Sequence, residues 1–280
     1  MSTVYDVAVV GSRGFLGSAI AAELERREAF VGRFTKDTPF DGGAATVVWA
    51  TGRVTPADPT HGAEAIDDIE RMLQAASRAT EPPHVVLLSS GGAVYGRPAS
   101  APFTETDPPS PANDYGRIKL TEERLLADSG LPHTVLRIAN PYGPAQVARA
   151  AGSVGGQGVV GYWLAAILAA APVTIFGDGS AVRDYVYVDD TAAAVAATVE
   201  RRPTGVINIG SGVGTSLAEL LNVVTATVAP QPVDVRREPP RGVDPAAAWL
   251  DVRRARDVLG WSAITTLSEG IAATWAAVGA

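Results

Sequence analysis

The sequence predicts an α/β fold built on a parallel sheet, and three observations carry that prediction. Short β-branched runs alternate with helical segments through the first half of the chain. A glycine-rich turn follows the first of those runs, and from Pro172 the texture changes to short strands and turns. Such alternation marks βαβ units feeding a parallel sheet. At 280 residues the chain is long for one minimal domain and ordinary for a two-lobed α/β protein with a large core.

Val4 to Val10 reads as the first strand, then a helix from about Phe15 to Arg27, and the strands "FVGRF" and "TVVWAT". The stretch between those two strands is short, so one βα crossover is expected to be trimmed or lost. A helix from about Gly62 to Ala79 and the strand "HVVLLSS" follow. A helix from about Tyr115 to Asp128 comes next, then the strand "HTVLRIA" and a long Gly/Ala loop through "PAQVARAAGSVGGQG". "VVGYWLAAILAAAPV", from Val159, is too short to span a bilayer and reads as a buried helix ending at Pro172. Beyond it "VTIFGDGS", "DYVYVDD" and "GVINIGS" are short strands and turns, with a helix near Leu217 to Val228 and a closing "RARDVLGW" segment.

Composition excludes several function classes. Apolar residues make up 46% and charged residues 19%, a globular balance. With 23 basic against 30 acidic residues the net charge is −7, so no general positive field gathers nucleic acid or anionic membrane, and neither is expected as a partner. There is no cysteine, hence no disulfide, thiolate nucleophile or cysteine metal site. Scattered His61, His84 and His133 make a poor metal cage, and no metal is expected. The N-terminus lacks the basic segment and apolar core of a signal peptide, so a cytoplasmic protein is expected.

"VAVVGSRGFLGSAI" sets Gly11, Gly14 and Gly17 in a GxxGxxG pattern between a strand and a helix. There, backbone amides and the helix N-terminus face a diphosphate, and the glycines let it approach. Phe15, Leu16 and Ala50 are counted with this cofactor set. A dinucleotide site normally shows an acid after the second strand, on the adenosine ribose. Here that region presents Arg33 and Lys36, with Arg13 in the glycine turn itself. Cations there suit a 2′-phosphate, so NADP(H) is preferred over NAD; Asp37 is the residue that could restore NAD binding. The plainer reading of Arg33 and Lys36 is as solvated surface charges.

Tyr115 and Lys119, in "NDYGRIKL", are four apart and share a helix face. An ammonium near a phenol favours phenolate, and the lysine can also bond a nicotinamide ribose. Upstream, "LLSSGGAVYG" reads as a buried strand that breaks where α/β enzymes place chemistry. Ser89 and Ser90 are its hydroxyls; Ser90 is the better candidate to polarise a carbonyl and contact substrate, and Ser89 is grouped with the cofactor set.

Through "VVGSRGFLGSAI", "LLSSGGAVYG", "YGRIK", "LRIANPYGP", "FGDGSAVRDYVYVDD", "GVINIGSG" and the terminal "LGW", the chain resembles an extended short-chain dehydrogenase/reductase of the nucleotide-sugar epimerase/dehydratase family. The resemblance covers nearly the whole length. It implies a Rossmann-like doubly wound cofactor domain over residues 1–171, rejoined by part of 185–210, and a smaller, partly interleaved substrate lobe mainly over 172–280. It implies Tyr115 as acid/base with Lys119 as its electrostatic and ribose partner. Asn140 matches a contact of the sugar-nucleotide diphosphate and is counted with the cofactor set as well. Arg183 and Arg241 match two diphosphate-clamping arginines, which an acidic protein needs to hold a dianion. Read structurally, Arg183 would instead pair with Asp184 or Asp189. A homodimer is implied through the helices near Gly62 to Ala79 and Tyr115 to Asp128.

Departures from the family pattern bear on the reaction. Aligned on "VYG", Gly91, counted as a substrate contact, falls where the family's catalytic serine or threonine lies. Gly92 and Ala93 fall where 4,6-dehydratases carry an aspartate and a glutamate, so water elimination lacks its acid and base. Family members that epimerise C3 or C5 use a cysteine, which is missing. The leading expectation is NADPH-dependent reduction of a keto group on a nucleotide-linked deoxysugar, with Tyr115 as proton donor. The alternative is an NAD-dependent nucleotide-sugar 4-epimerase. Beyond these stand a ketoreductase for a non-sugar natural-product ketone and a non-catalytic dinucleotide-binding protein.

Overall fold

The computed structural model describes residues 5–35, 38–56, 58–96, 101–150, 158–229, 232–240 and 246–279. In chain order, β1 (Tyr5–Val10) leads into α1 (Phe15–Arg26), β2 (Val31–Phe34), β3 (Ala44–Trp49), α2 (Gly62–Ser77), β4 (His84–Ser90) and the single turn α3 (Gly91–Val94). There follow α4 (Asp114–Asp128), β5 (His133–Ile138), β6 (Asn140–Tyr142), α5 (Pro144–Ala150), α6 (Val159–Leu168), β7 (Val173–Phe176), β8 (Val182–Arg183) and β9 (Tyr185–Tyr187). The chain continues with α7 (Val188–Arg201), β10 (Gly205–Ile209), β11 (Thr215–Ser216), α8 (Leu217–Val228), β12 (Val235–Glu238), β13 (Ala247–Ala248), α9 (Arg253–Leu259) and α10 (Leu267–Gly279).

Six strands form one parallel sheet in the order β10-β5-β4-β3-β1-β2. β2 and β3 flank β1 on opposite sides, and among the described residues no helix lies between them. The strand order therefore reverses at β1. The crevice past the carboxyl ends of β1 and β3 is the switch point at which doubly wound sheets take ligands.

The sheet is buried on both faces, which explains its near-continuous apolar strands. One face carries Val7, Val9, Val86 and Leu136 against Ile20 and Leu24 of α1 and Val195 of α7. The other carries Ala8, Val10, Val47 and Leu87 against Ile69 and Met72 of α2 and Leu126 of α4. Burying each such large aliphatic side chain contributes about 1.5–3 kcal/mol. The remaining strands make three small sheets: β12-β7 and β6-β9 contribute to a third cluster around Trp163, Tyr142 and Leu220, while Ala248 of β11-β8-β13 belongs to the first cluster.

The doubly wound parallel sheet agrees with the expectation from sequence, and two local expectations are corrected. The stretch read as a loop after β6 begins with α5, whose Val147 is buried in the third cluster. The chain does not close on "RARDVLGW": α9 is followed by α10, which buries Ile271 in that same cluster. No helix among the described residues is long and apolar enough to cross a membrane.

A buried polar network runs beneath the strand ends. Ser89 Oγ donates to Glu123 Oε1 at 2.5 Å, and Arg137 of β5 donates to both Glu123 oxygens at 3.1 and 2.7 Å. The Arg137 guanidinium lies 4.7 Å from the centre of the Tyr95 ring, and Tyr95 OH donates to Asn208 Oδ1 of β10 at 2.8 Å. β4, α4, β5 and β10 are thereby tied together.

Candidate active site

The glycine turn is built by steric necessity. Gly11 has φ +93°, and a Cβ there would lie 2.5 Å from the Ala50 carbonyl oxygen. A Cβ on Gly17 would run into the Gly11 carbonyl, so α1 packs directly on the turn. Ala50, past the end of β3, donates its amide to Val10 O at 2.8 Å and brings the two strand ends together. Gly14 occupies the N-cap of α1 without a side-chain cap. The first-turn amides of Phe15, Leu16 and Gly17 thus have no intrahelical acceptor, and the helix dipole favours an anion before them. A diphosphate fits this cradle.

Arg13 is exposed on the turn. Arg33, expected from sequence in the cofactor set, donates from its Nε and one terminal nitrogen to the two oxygens of Glu25 on α1, at 2.9 and 2.8 Å. Hydrogen bonding to Arg33 holds the Glu25 carboxyl below its usual range, and the same bonds raise the arginine. Both side chains of this pair are exposed. Lys36 and Asp37 lie outside the described residues.

At the end of β4 the two serines part. Ser89 is buried and spends its hydroxyl on Glu123, so it is not free to polarise a carbonyl. Ser90 is half-buried at the N-cap of α3, with no capping bond from its side chain. Gly91 is buried, and a Cβ there would meet Leu250 Cδ1 and Cδ2 at 2.8 and 2.9 Å. Leu250 thus fills the space a side chain at position 91 would take, beside the glycine expected from sequence to contact substrate.

Asn113 starts α4 by accepting the Gly116 amide at 2.9 Å on its side-chain oxygen. A Cβ on Gly116 would collide with the Ala93 carbonyl, so the first turn of α4 lies directly on α3. Tyr115 is half-buried in that turn, and Lys119, one turn on, is buried. Lys119 Nζ donates to Glu122 Oε2 at 2.8 Å. Burial alone would pull this ammonium down, but the charges of Glu122, Tyr115 and Glu123 outweigh it and raise its pKa.

The register places Ser90 opposite Ile138, so Asn140 lies two residues beyond the same strand end. Asn140 and Arg183 come together in a cleft of about 410 Å³ that also involves Gln146, Phe176 and Tyr185. Asn140 Nδ2 donates to Asp184 O at 2.8 Å, and one terminal nitrogen of Arg183 donates to Val182 O at 2.7 Å. The Asp184 carboxylate instead accepts from Ser211 N and Oγ and from Gly212 N, at 2.8, 2.6 and 3.1 Å. The structural pairing of Arg183 with Asp184 is therefore not formed. Gln146 Oε1 and Tyr185 OH are buried in this region without a partner, a cost of about 1–3 kcal/mol each unless a ligand or water meets them. Arg241 lies outside the described residues.

Glu122, Glu123, Gln146 and Tyr185 were not singled out from the sequence. The three-residue spacing of Lys119 and Glu122 was the signal available for the first. Tyr185 and Gln146 gave none, because their place in the cleft depends on the pairing of β6 with β9.

Residues 50–210 match the sequence profile of the NAD dependent epimerase/dehydratase family. A UDP-glucose 4-epimerase of Mycolicibacterium smegmatis is 39% identical over 209 residues, covering 72% of this chain and 64% of that protein. A dTDP-4-dehydro-6-deoxyglucose reductase of Escherichia coli is 32% identical over 192 residues, covering 67% of this chain and 58% of that one. The chain thus spans less than two thirds of the length of either relative. The solved UDP-glucose 4-epimerase of Thermus thermophilus in complex with NAD is similar with a TM-score of 0.82, at 26% identity, over 98% of both chains.

Proposed function

Because this chain belongs to the NAD dependent epimerase/dehydratase family, we propose that it interconverts the C4 epimers of a nucleotide sugar with NAD as its resident cofactor. The observation that carries the reading is that Tyr115 sits in the turn of α4 that lies on α3, past the end of β4, with Lys119 one turn on. On this reading the pair shares one site with the glycine cradle at the switch point, which takes the cofactor, and with the cleft containing Asn140 and Arg183, which takes the sugar nucleotide. NAD is preferred here to the NADP(H) expected from sequence, since Glu25 already neutralises Arg33.

The uncapped turn of α1 and the close approach at Gly11 would hold the cofactor diphosphate, and Lys119 the nicotinamide ribose. Bound NAD supplies the hydride acceptor and donor for C4. Tyr115 takes the proton of the C4 hydroxyl and later returns it, and the Lys119 charge stabilises the phenolate between those events. Arg183 and Asn140 hold the sugar-nucleotide diphosphate. Ser90 is the hydroxyl left to steady the reacting oxygen, in place of the one missing at Gly91.

The test incubates the protein with UDP-glucose and NAD and follows the C4 epimer by NMR. Tyr115→Phe should lower kcat by about 10²- to 10⁴-fold. A second reading, reduction of a 4-keto sugar nucleotide, draws on Gly91, because a reductase needs only a proton donor beside the hydride path. NADPH consumption with a 4-ketodeoxysugar nucleotide, together with no epimer from UDP-glucose, would establish it instead.

A further inference from the structure

We propose that Glu122 is a positioning residue for Lys119: its carboxylate holds the ammonium and thereby sets how strongly that ammonium acidifies Tyr115. The assignment rests on the acid/base reading of Tyr115 and Lys119 given above.

The geometry is that of an ion pair withdrawn from water. Nζ and Oε2 are 2.8 Å apart, and the side chains are 6% and 1% exposed. A carboxylate so buried is retained only where a charge partner meets it. An ammonium has three donors. One is spent on Glu122, which leaves two for the phenol oxygen and for a ribose hydroxyl. The ammonium is thus anchored one turn along α4 from Tyr115, and its field is partly cancelled by the carboxylate it is paired with.

The groups around Lys119 on its own helix are Tyr115, Glu122 and Glu123. From β5, Arg137 pairs with Glu123, and from β4, Ser89 donates to that same carboxylate. Glu123 is therefore balanced by its own cation. α3 carries no titratable side chain, and the buried residues of α2 are Ala65, Ile69, Met72, Leu73 and Ala76, all apolar. Glu122 is thus the carboxylate whose removal changes the charge at Lys119.

The experiment titrates Tyr115 in the full-length protein with saturating NAD, by ultraviolet absorbance of tyrosinate. The titration of Tyr115→Phe is subtracted to isolate this residue among seven tyrosines. Glu122→Gln keeps the shape and removes the charge, so the Tyr115 midpoint should fall by about one pH unit. Glu122→Asp keeps the charge and draws it back by one methylene. It should lower the midpoint by less, and it carries the test if the glutamine variant folds poorly. The acid limb of the kcat profile should move with the midpoint. A midpoint in Glu122→Gln that is unmoved, or that rises, overturns the assignment. A lowered midpoint in a protein that forms no C4 epimer overturns the sugar reading and supports the role of Glu122, because the titration needs no substrate.

Discussion

Arg183 has one guanidinium nitrogen fixed on the Val182 carbonyl, which leaves its other donors for the cleft. Arg183→Ala should weaken UDP binding by about 10- to 100-fold in calorimetry, the loss of a charge-assisted contact worth about 1.5–3 kcal/mol. Arg183→Lys should recover part of that, because a point charge replaces a planar fork. A Kd unchanged in both variants would remove Arg183 from the site. At Gly11 the constraint is backbone: Gly11→Ala puts a Cβ against the Ala50 carbonyl at a left-handed φ. It should cost about 1–3 kcal/mol and lower Tm, and the protein should no longer retain NAD through gel filtration. Local geometry of this kind was legible at Gly11, Tyr115 and Lys119, where a turn or a helical spacing fixes the position. It was not legible at Arg33, whose partner Glu25 belongs to another element and is met only once β2 takes its register on β1.

Among the elements, α4 bears the heaviest demand, since it carries the Tyr115 turn at one end and two buried carboxylates further along. Glu123→Ala would leave Arg137 buried without its partner and should destabilise the fold by about 3–5 kcal/mol in urea denaturation. Ser216→Ala, at the capping box that Ser216 and Glu219 form on α8, should cost about 1 kcal/mol by the same measurement. The contrast separates a buried pair from a solvated cap. The ends of α1, α2, α4 and α8 could be read from sequence because apolar periodicity and small or capping residues coincide there. α5 escaped because its alanine-rich turns carry little periodicity and its order comes from packing on α6. α10 was missed although Thr266 and Glu269 form a reciprocal cap at its start, a spacing visible in "TLSE".

For the molecule as a whole, His84 gives stability a pH dependence with a definite sign. It is buried at the start of β4 with Nε2 2.9 Å from Thr134 Oγ1, and that hydroxyl donates to the Pro203 carbonyl. The ring nitrogen Nε2 must therefore donate. Burial lowers its pKa from 6.5 to about 4. The unfolded chain takes up the proton first as pH falls, so the contribution is complete above about pH 6.5 and is lost progressively down to about pH 4, by up to about 3 kcal/mol. Urea midpoints should drop over that window, and His84→Gln should flatten the drop; parallel profiles for the two proteins would contradict the assignment. At this scale the parallel sheet was readable from the rhythm of strands and helices, whereas the cleft was read only at Asn140 and Arg183, through the family resemblance, because it is assembled from β6, β8 and β9 with loops far apart in sequence. The chain leaves the main sheet at β6, returns through α7 and β10, departs again through β11 to β13, and comes back with α9 against β10. A laboratory chimaera made by exchanging everything beyond residue 139 would thus replace β10, a strand of the main sheet, along with any change of specificity. Recognition in such a protein is not a detachable cassette, and altering it, by engineering or by descent, has to proceed side chain by side chain around a framework that stays in place.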